Sequence, residues 1–207
     1  ISCRIYGGPG NDTFRFTGAG SLSGGIDGGA GSNTLDYSNG YNGGHVAVNL
    51  GENTVTNEGR TYDLDGVRNF LGSPAPDDEI TGPESGAVFN ITGLAAGNID
   101  DLYFFSGFED LRGGSGNDTF SLKTGGSLSG GIDGGGGSNT LDFSAFGTGI
   151  SVIMQTSSAT GLNSFSNIQT LLGSKYVDTI TGSDAGTTFN ITGASSGSVD
   201  GILFFSS

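Results

Sequence analysis

The chain has 207 residues, of which 42 are glycine, and 21 acidic residues against 7 basic ones give it a formal net charge of −14. Nucleic acids and anionic membranes are bound by clustered Lys and Arg, so this balance excludes nucleic acid as a partner and favours cation binding. Cys3 is the only cysteine, which excludes an intrachain disulfide, and the absence of a long apolar run argues against membrane insertion.

The first motif in chain order is GGPGNDTFR at residues 7–15, which fits the nonapeptide G-G-x-G-x-D-x-U-x, where U is a large apolar residue. Glycine at these places permits a tight turn whose backbone carbonyls point inward. Asp12 adds a carboxylate, and Ca²⁺ prefers ligand sets of carbonyl and carboxylate oxygens. The motif therefore predicts a calcium-binding turn that leads into a β-strand.

The motif returns as GGSGNDTFS at residues 113–121, and Asp118 follows Asp12 by 106 residues. The run at 21–36 also recurs at 127–142, with Ala30 changed to Gly136 as the single difference. The chain is therefore interpreted as two copies of one unit, residues 1–106 and 107–207, which form one continuous rod.

Between the full motifs lie degenerate turns. Residues 27–33 place Asn33 at the Asp position, and an amide oxygen adds no charge, so this turn predicts a weaker site unless Asp27 contributes. The second copy repeats the arrangement with Asn139 and Asp133. A third kind of degenerate turn carries the further candidate ligands, Asp78 and Asp178.

Short segments of alternating polar and apolar residues, such as 13–16 and 34–37, are bounded by glycine and predict β-strands; helix signals are absent. The turn residues recur near multiples of 20, which predicts an all-β parallel β-solenoid of about ten coils of roughly 20 residues. Asp12 should then stack on Asn33, and inward ladders should pair Phe14 with Leu35 and Phe120 with Leu141.

Catalysis is disfavoured. His45 is the only neutral-pH base and has no nucleophile motif beside it. The acidic pairs Asp77-Asp78 and Asp100-Asp101 could serve a carbohydrate-active β-helix, but Asp77 becomes Val177 and Asp101 becomes Gly201 in the second copy.

Threonine directly follows the turn Asp or Asn at five of these turns and should form an outward ladder. Such arrays bind ice or crystalline surfaces on some solenoids, although threonine also suits any exposed β position. The predicted ladder residues are Thr13, Thr34, Thr119, Thr140 and Thr179.

The segments GGPGNDTF and GGSGNDTF, with the run GSLSGGIDGGGGSNTLDFS at 126–144, resemble the RTX-type, haemolysin-type calcium-binding repeat proteins, especially the long repeats of giant bacterial surface adhesins. The resemblance implies a parallel β-roll or β-helix, export from the cell, and calcium-driven folding. Carried over by position, the implied ligands are the carboxylates of Asp12 and Asp118 and the carbonyls of Gly7, Gly10, Gly113 and Gly116. The chain departs from compact RTX rolls because its full motifs are isolated and the pattern is broken at Asn33, Asn139, Gly72 and Gly173.

We therefore expect a structural, calcium-stabilised segment of an extracellular or cell-surface bacterial protein, serving as a stalk, spacer or filament subunit and not as an enzyme. The alternative is a module that binds ice or cell-surface glycans. Both ends of the sequence fall inside a repeat, which predicts either a longer array or end-to-end stacking of identical or homologous repeats.

Overall fold

The computed structural model describes residues 3–200 and 203–206. Within these residues every regular element is a β-strand, as predicted, and no helix could span a membrane. The strands are β1 (Ile5–Tyr6), β2 (Thr13–Arg15), β3 (Ile26–Asp27), β4 (Asn33–Asp36), β5 (Val46–Asn49), β6 (Thr54–Asn57), β7 (Arg60–Asp65), β8 (Val67–Leu71), β9 (Glu79–Thr81), β10 (Val88–Gly93), β11 (Ala96–Ile99), β12 (Tyr103–Ser106), β13 (Asp110–Arg112), β14 (Thr119–Leu122), β15 (Gly131–Asp133), β16 (Thr140–Asp142), β17 (Ser151–Ile153), β18 (Ser158–Ala159), β19 (Ser164–Ser166), β20 (Thr170–Leu172), β21 (Thr179–Thr181), β22 (Phe189–Gly193), β23 (Ser196–Val199) and β24 (Leu203–Ser206).

Stacked parallel strands form a β-solenoid with two main faces. Face A is a 9-stranded sheet in the order β1-β3-β7-β6-β5-β9-β13-β15-β19, and face B is a 12-stranded sheet in the order β2-β4-β8-β12-β11-β10-β14-β16-β20-β24-β23-β22. A 3-stranded sheet, β18-β17-β21, lies beyond the last strand of face A. The predicted solenoid is confirmed, but it has about six turns instead of ten.

The lower number of turns has a structural cause. Three consecutive strands fold back on themselves as an antiparallel meander in face A, β5-β6-β7, and again in face B, β10-β11-β12. The last strand of each meander returns to stack in parallel on an earlier turn, β7 on β3 and β12 on β8. Face B of the second copy contains the equivalent meander, β22-β23-β24. One turn with a meander thus uses as many residues as two simple turns.

The core is a set of apolar ladders between the two faces. Phe14 pairs with Leu35 and Phe120 pairs with Leu141, as predicted. On face A the inward residues Val48, Ile80 and Leu111 are stacked in the same way and are almost fully buried. Because a strand in this fold buries its apolar side chains only against neighbouring levels, stacking supplies the hydrophobic core.

Candidate cation sites at the glycine-rich turns

The turns that precede the strands of face B stack directly on one another. The Asp12 backbone N–H donates to Asn33 Oδ1 at 2.8 Å, and the Asp118 N–H donates to Asn139 Oδ1 at 2.8 Å. The Asn side chains therefore point inward and bind the backbone of the adjacent turn. This arrangement confirms that Asp12 stacks on Asn33.

In the two Asn turns, both polar atoms of the Asn side chain form hydrogen bonds. Asn33 Nδ2 donates to the Gly66 carbonyl at 2.9 Å, and Asn139 Nδ2 donates to the Asn167 carbonyl at 2.9 Å. A Cβ on Gly28 would lie 2.6 Å from Asn33 Nδ2, so glycine at this position makes room for the amide. A neutral amide both accepts and donates here, so the Asn side chain brings no charge to the turn.

The two Asp turns present a carboxylate where the Asn turns present an amide. A Cβ on Gly113 would meet Gly134 O at 2.3 Å and Asp118 Oδ2 at 2.4 Å. A Cβ on Gly7 would likewise meet Asp12 Oδ2 at 2.5 Å and Gly28 O at 2.6 Å. A carboxylate has no proton to donate, so each full motif places two hydrogen-bond acceptors beside the same glycine.

The partners of these carboxylates differ between the copies. Asp118 is almost fully buried, and its Oδ1 and Oδ2 accept from the backbone N–H groups of Ala87 at 2.7 Å and Gly114 at 3.1 Å. Asp12 Oδ2 is buried and has no hydrogen-bond partner among the described residues. A buried charge is costly unless it is paired, so a cation bound beside these carboxylates would stabilise both turns. Burial accordingly raises the pKa of Asp118.

The glycine carbonyls implied by the resemblance lie along the stack. A Cβ on Gly31 would lie 2.3 Å from Gly10 O, and a Cβ on Gly137 would lie 2.2 Å from Gly116 O, so both carbonyls contact the next turn. Asp27 Oδ1 accepts from the N–H of Gly29 at 3.0 Å, two residues along its own turn. Its counterpart in the second copy is Asp133, whose Oδ1 accepts from the Gly135 N–H at 3.0 Å and from Asn167 Nδ2 at 2.6 Å.

Asp78 and Asp178 lie at a different corner of the solenoid. Asp78 directly precedes β9 of face A, and its Oδ1 accepts from the Val46 N–H at 2.8 Å. Asp178 accepts in the same way from the Ile150 N–H at 2.9 Å. The even spacing of the turn residues along the sequence predicted one column of ligands. In the structure, Asp78 and Asp178 lie outside the column that contains Asp12 and Asp118. Both carboxylates bind nearby backbone N–H groups, and Ser73 and Ser174 add hydroxyl donors.

One grouping was not anticipated from sequence. His45, Asp77 and Asp78 bring potential ligand atoms within 4.8 Å of one another. His45 Nδ1 lies against the Asp77 carbonyl oxygen at 2.5 Å, and the Asp78 N–H donates to Glu109 Oε2 at 3.2 Å. The sequence contained no signal for this contact because it depends on the meander that brings β5 onto β9.

The remaining acidic pair lies in a tight turn. Asp100 and Asp101 both have φ of 53°, and they connect the antiparallel strands β11 and β12. Two consecutive residues with positive φ are typical of a hairpin turn, and the dipeptide Asp200-Gly201 in the second copy is a usual sequence signal for it. Asp100 Oδ1 accepts from the Val88 N–H at 2.8 Å, so its carboxylate has a local partner.

The threonine ladder is only partly as predicted. Thr13 pairs with Thr34, and Thr119 pairs with Thr140, on face B. Thr179 lies in the 3-stranded sheet instead, and Thr170 continues the face B row of the second copy. In the first copy, Asn69 and the half-exposed Phe104 follow the two threonines, so the row is not uniform.

Stability in the presence of a chelator should rise as pH falls from neutral towards the ordinary pKa of an Asp carboxyl. Burial raises the pKa of Asp78 and of Asp118, so the folded chain binds protons more readily than the unfolded chain. Stabilisation of this sign is complete below the unfolded-state pKa and is lost as pH rises through the folded-state pKa. Urea unfolding at a series of pH values measures the effect. Stability that falls as pH falls across this range would contradict it.

None of the protein-family models matches this chain, and no curated protein sequence is significantly similar to it.

Proposed function

We propose that the chain is a calcium-stabilised structural segment of an extracellular bacterial surface protein, acting as a stalk, spacer or filament subunit of the RTX type. One observation carries the calcium proposal. At each full motif a carboxylate oxygen and a backbone carbonyl oxygen flank the same glycine, whereas at the Asn turns an amide donates to the equivalent carbonyl. Asp in place of Asn leaves that carbonyl without its donor, and a hard cation binds both oxygens.

The residues that would hold calcium are Asp12 with the Gly28 carbonyl and Asp118 with the Gly134 carbonyl. Bound calcium supplies positive charge that offsets the buried carboxylates and part of the formal net charge of −14. The turns, through their stacked backbone, hold the carboxylates in place before any cation arrives. Outside a cell, where calcium is abundant, such a segment would be folded and stiff.

The shape of the core supports the proposed structural role. Face B alone is a continuous sheet of 12 strands, which at about 4.8 Å per strand extends on the order of 50 Å. The buried apolar residues form one cluster that runs through both copies. An element of this kind separates its two ends by a fixed distance, which is what a stalk or spacer requires.

Asp118→Asn should change stability by different amounts in the two calcium conditions. With chelator, the variant should lie within about 1 kcal/mol of wild type, because it removes a buried charge and adds one hydrogen bond to Gly134 O but loses the bond from the Gly114 N–H. With calcium at about 100 times its Kd, wild type should gain about 2.7 kcal/mol at this site, which the variant cannot gain. Urea unfolding in both conditions measures the two differences.

The matched control is Asp101→Asn, which makes the same charge change at an exposed turn residue. Its stability should follow wild type in both conditions. If wild type gains no stability from calcium, or if Asp118→Asn gains as much as wild type, the calcium proposal is wrong.

A further inference from the structure

Turns of the two antiparallel meanders meet at one corner of the first copy. Residues 50–53 connect β5 to β6 in face A, and residues 100–102 connect β11 to β12 in face B. The chain passes from β7 to β8 through Gly66 at the same corner. A groove of about 200 Å³ is lined by residues of all three turns. It lies within the stack, because β7 is flanked by β3 and β6, and β8 by β4 and β12.

The floor of this groove is apolar and belongs to the core. Leu64, Val67 and Phe70 line it and are buried. Tyr103 also lines it, is partly buried, and packs against the core with its ring centroid 6.3 Å from that of Phe70. Core packing therefore fixes the shape of the groove before any ligand binds.

The rim of the groove is polar and carries both signs of charge. Asn53, Asp65 and Arg68 line it and are exposed. Within residues 3–200 and 203–206, neither the Asp65 nor the Arg68 side chain has a hydrogen-bond or ion-pair partner. A carboxylate only accepts, a guanidinium only donates, and an amide does both. The rim thus presents donors and acceptors that the protein itself does not use.

The second copy has a groove of about 210 Å³ at the equivalent corner, but its lining differs. Serine replaces Asn53 and Asp65 there, and leucine replaces Tyr103. Gln169 stands in place of Arg68, and its Oε1 accepts from the Asn139 N–H at 2.7 Å. The fold therefore produces the groove in both copies, whereas the charged rim and the tyrosine belong to the first copy alone.

We propose that the groove of the first copy binds one neutral sugar unit of a glycan. Each sugar hydroxyl both donates and accepts, so two adjacent hydroxyl groups can pair with the Asp65 carboxylate and the Arg68 guanidinium. The apolar C–H face of the sugar ring packs on Tyr103 and on Leu102, which is 39% exposed.

The size and charge of the groove define the class of ligand. A drug-sized molecule occupies about 300–1,000 Å³, so this smaller groove suits a single ring. Its open rim lets a longer glycan chain continue into solvent on both sides. The formal net charge of −14 repels acidic sugars, which favours a neutral one. This binding activity goes beyond the proposed structural role and does not depend on it.

Saturation-transfer NMR and calorimetric titration of the 207-residue chain test the proposal. The probes are maltotriose, mannotriose and galactotriose, with triglycine as a peptide of similar length. At least one trisaccharide should bind with a Kd on the order of 1 mM, as expected for a small open site. Binding of triglycine without any trisaccharide would assign the groove to peptides, and binding of no probe would leave it without a ligand of this class. Either result would overturn the proposal.

Two variants that carry second-copy residues into the first copy locate the site. Arg68→Gln and Tyr103→Leu should each weaken trisaccharide binding by about tenfold or more, because each removes one of the proposed contacts. The matched control is Arg60→Gln, which makes the same charge change at an exposed residue outside the groove. It should bind the trisaccharide like wild type.

Thermal unfolding of each variant checks that the fold is retained. Arg68 is exposed, so Arg68→Gln tests the site independently of any loss of core packing in Tyr103→Leu. Wild-type affinity in folded Arg68→Gln would show that the sugar is held elsewhere. An equal loss of affinity in Arg60→Gln would show that binding responds to net charge and not to the groove, and both results would overturn the proposed site.

Discussion

Phe120→Ala should lower the free energy of unfolding by about 3–5 kcal/mol, the usual loss for a fully buried phenylalanine. Phe120 is 0% exposed and lies in the middle of face B, between Phe89 of the first copy and Leu141 of the next turn. Its removal leaves a cavity that strands hydrogen-bonded on both sides cannot close. Urea unfolding followed by far-UV circular dichroism measures the loss, with the chain kept dilute so that assembly does not contribute.

The matched control is Phe14→Ala, the same change at the equivalent position of the first copy. Phe14 is only partly buried and pairs on one side alone, with Leu35. Its loss should be about 1–2 kcal/mol, since less apolar surface is removed from the core. Equal losses for the two variants would show that the junction between the copies is not as tightly packed as the structure has it.

Gly116→Val should lower the free energy of unfolding by about 2–3 kcal/mol, because an added side chain must displace packed backbone. The Cβ alone would lie 2.4 Å from Gly86 N and 2.5 Å from the carbonyl carbon of Ser85. Both are backbone atoms, so the clash cannot be relieved by a side-chain rotation. Denaturant unfolding at low concentration measures the effect.

Gly10→Val provides the comparison within the same motif. Nothing lies within 4 Å of the Gly10 Cβ position, so the monomer should lose less than about 0.5 kcal/mol. The two glycines cannot be distinguished by their motif, which is GGxGNDTF in both cases. A large loss for Gly10→Val in the monomer would mean that the motif needs this glycine for its own turn.

Two features of the candidate sites depended on local sequence and could be predicted. The nonapeptide placed Asp12 and Asp118 at inward-facing turn positions, and the Asn residues one turn later were correctly placed against them. The opposition of a carboxylate and a carbonyl was not predicted, because it involves the Gly28 or Gly134 backbone of the next turn. Whether a side chain meets a donor or an acceptor there depends on stacking geometry.

The sequence by itself determined the strands, their alternating burial and the stacking of consecutive simple turns, since a period of two and a fixed turn motif are local properties. It did not determine the meanders, because alternation is the same in a parallel and an antiparallel strand. Even spacing therefore placed Asp78 in the column of Asp12, although the meander β5-β6-β7 of face A intervenes before the chain reaches Asp78. Only the tertiary structure decided which corner each acid occupies, because the path of β5, β6 and β7 depends on which edges they find to pair with.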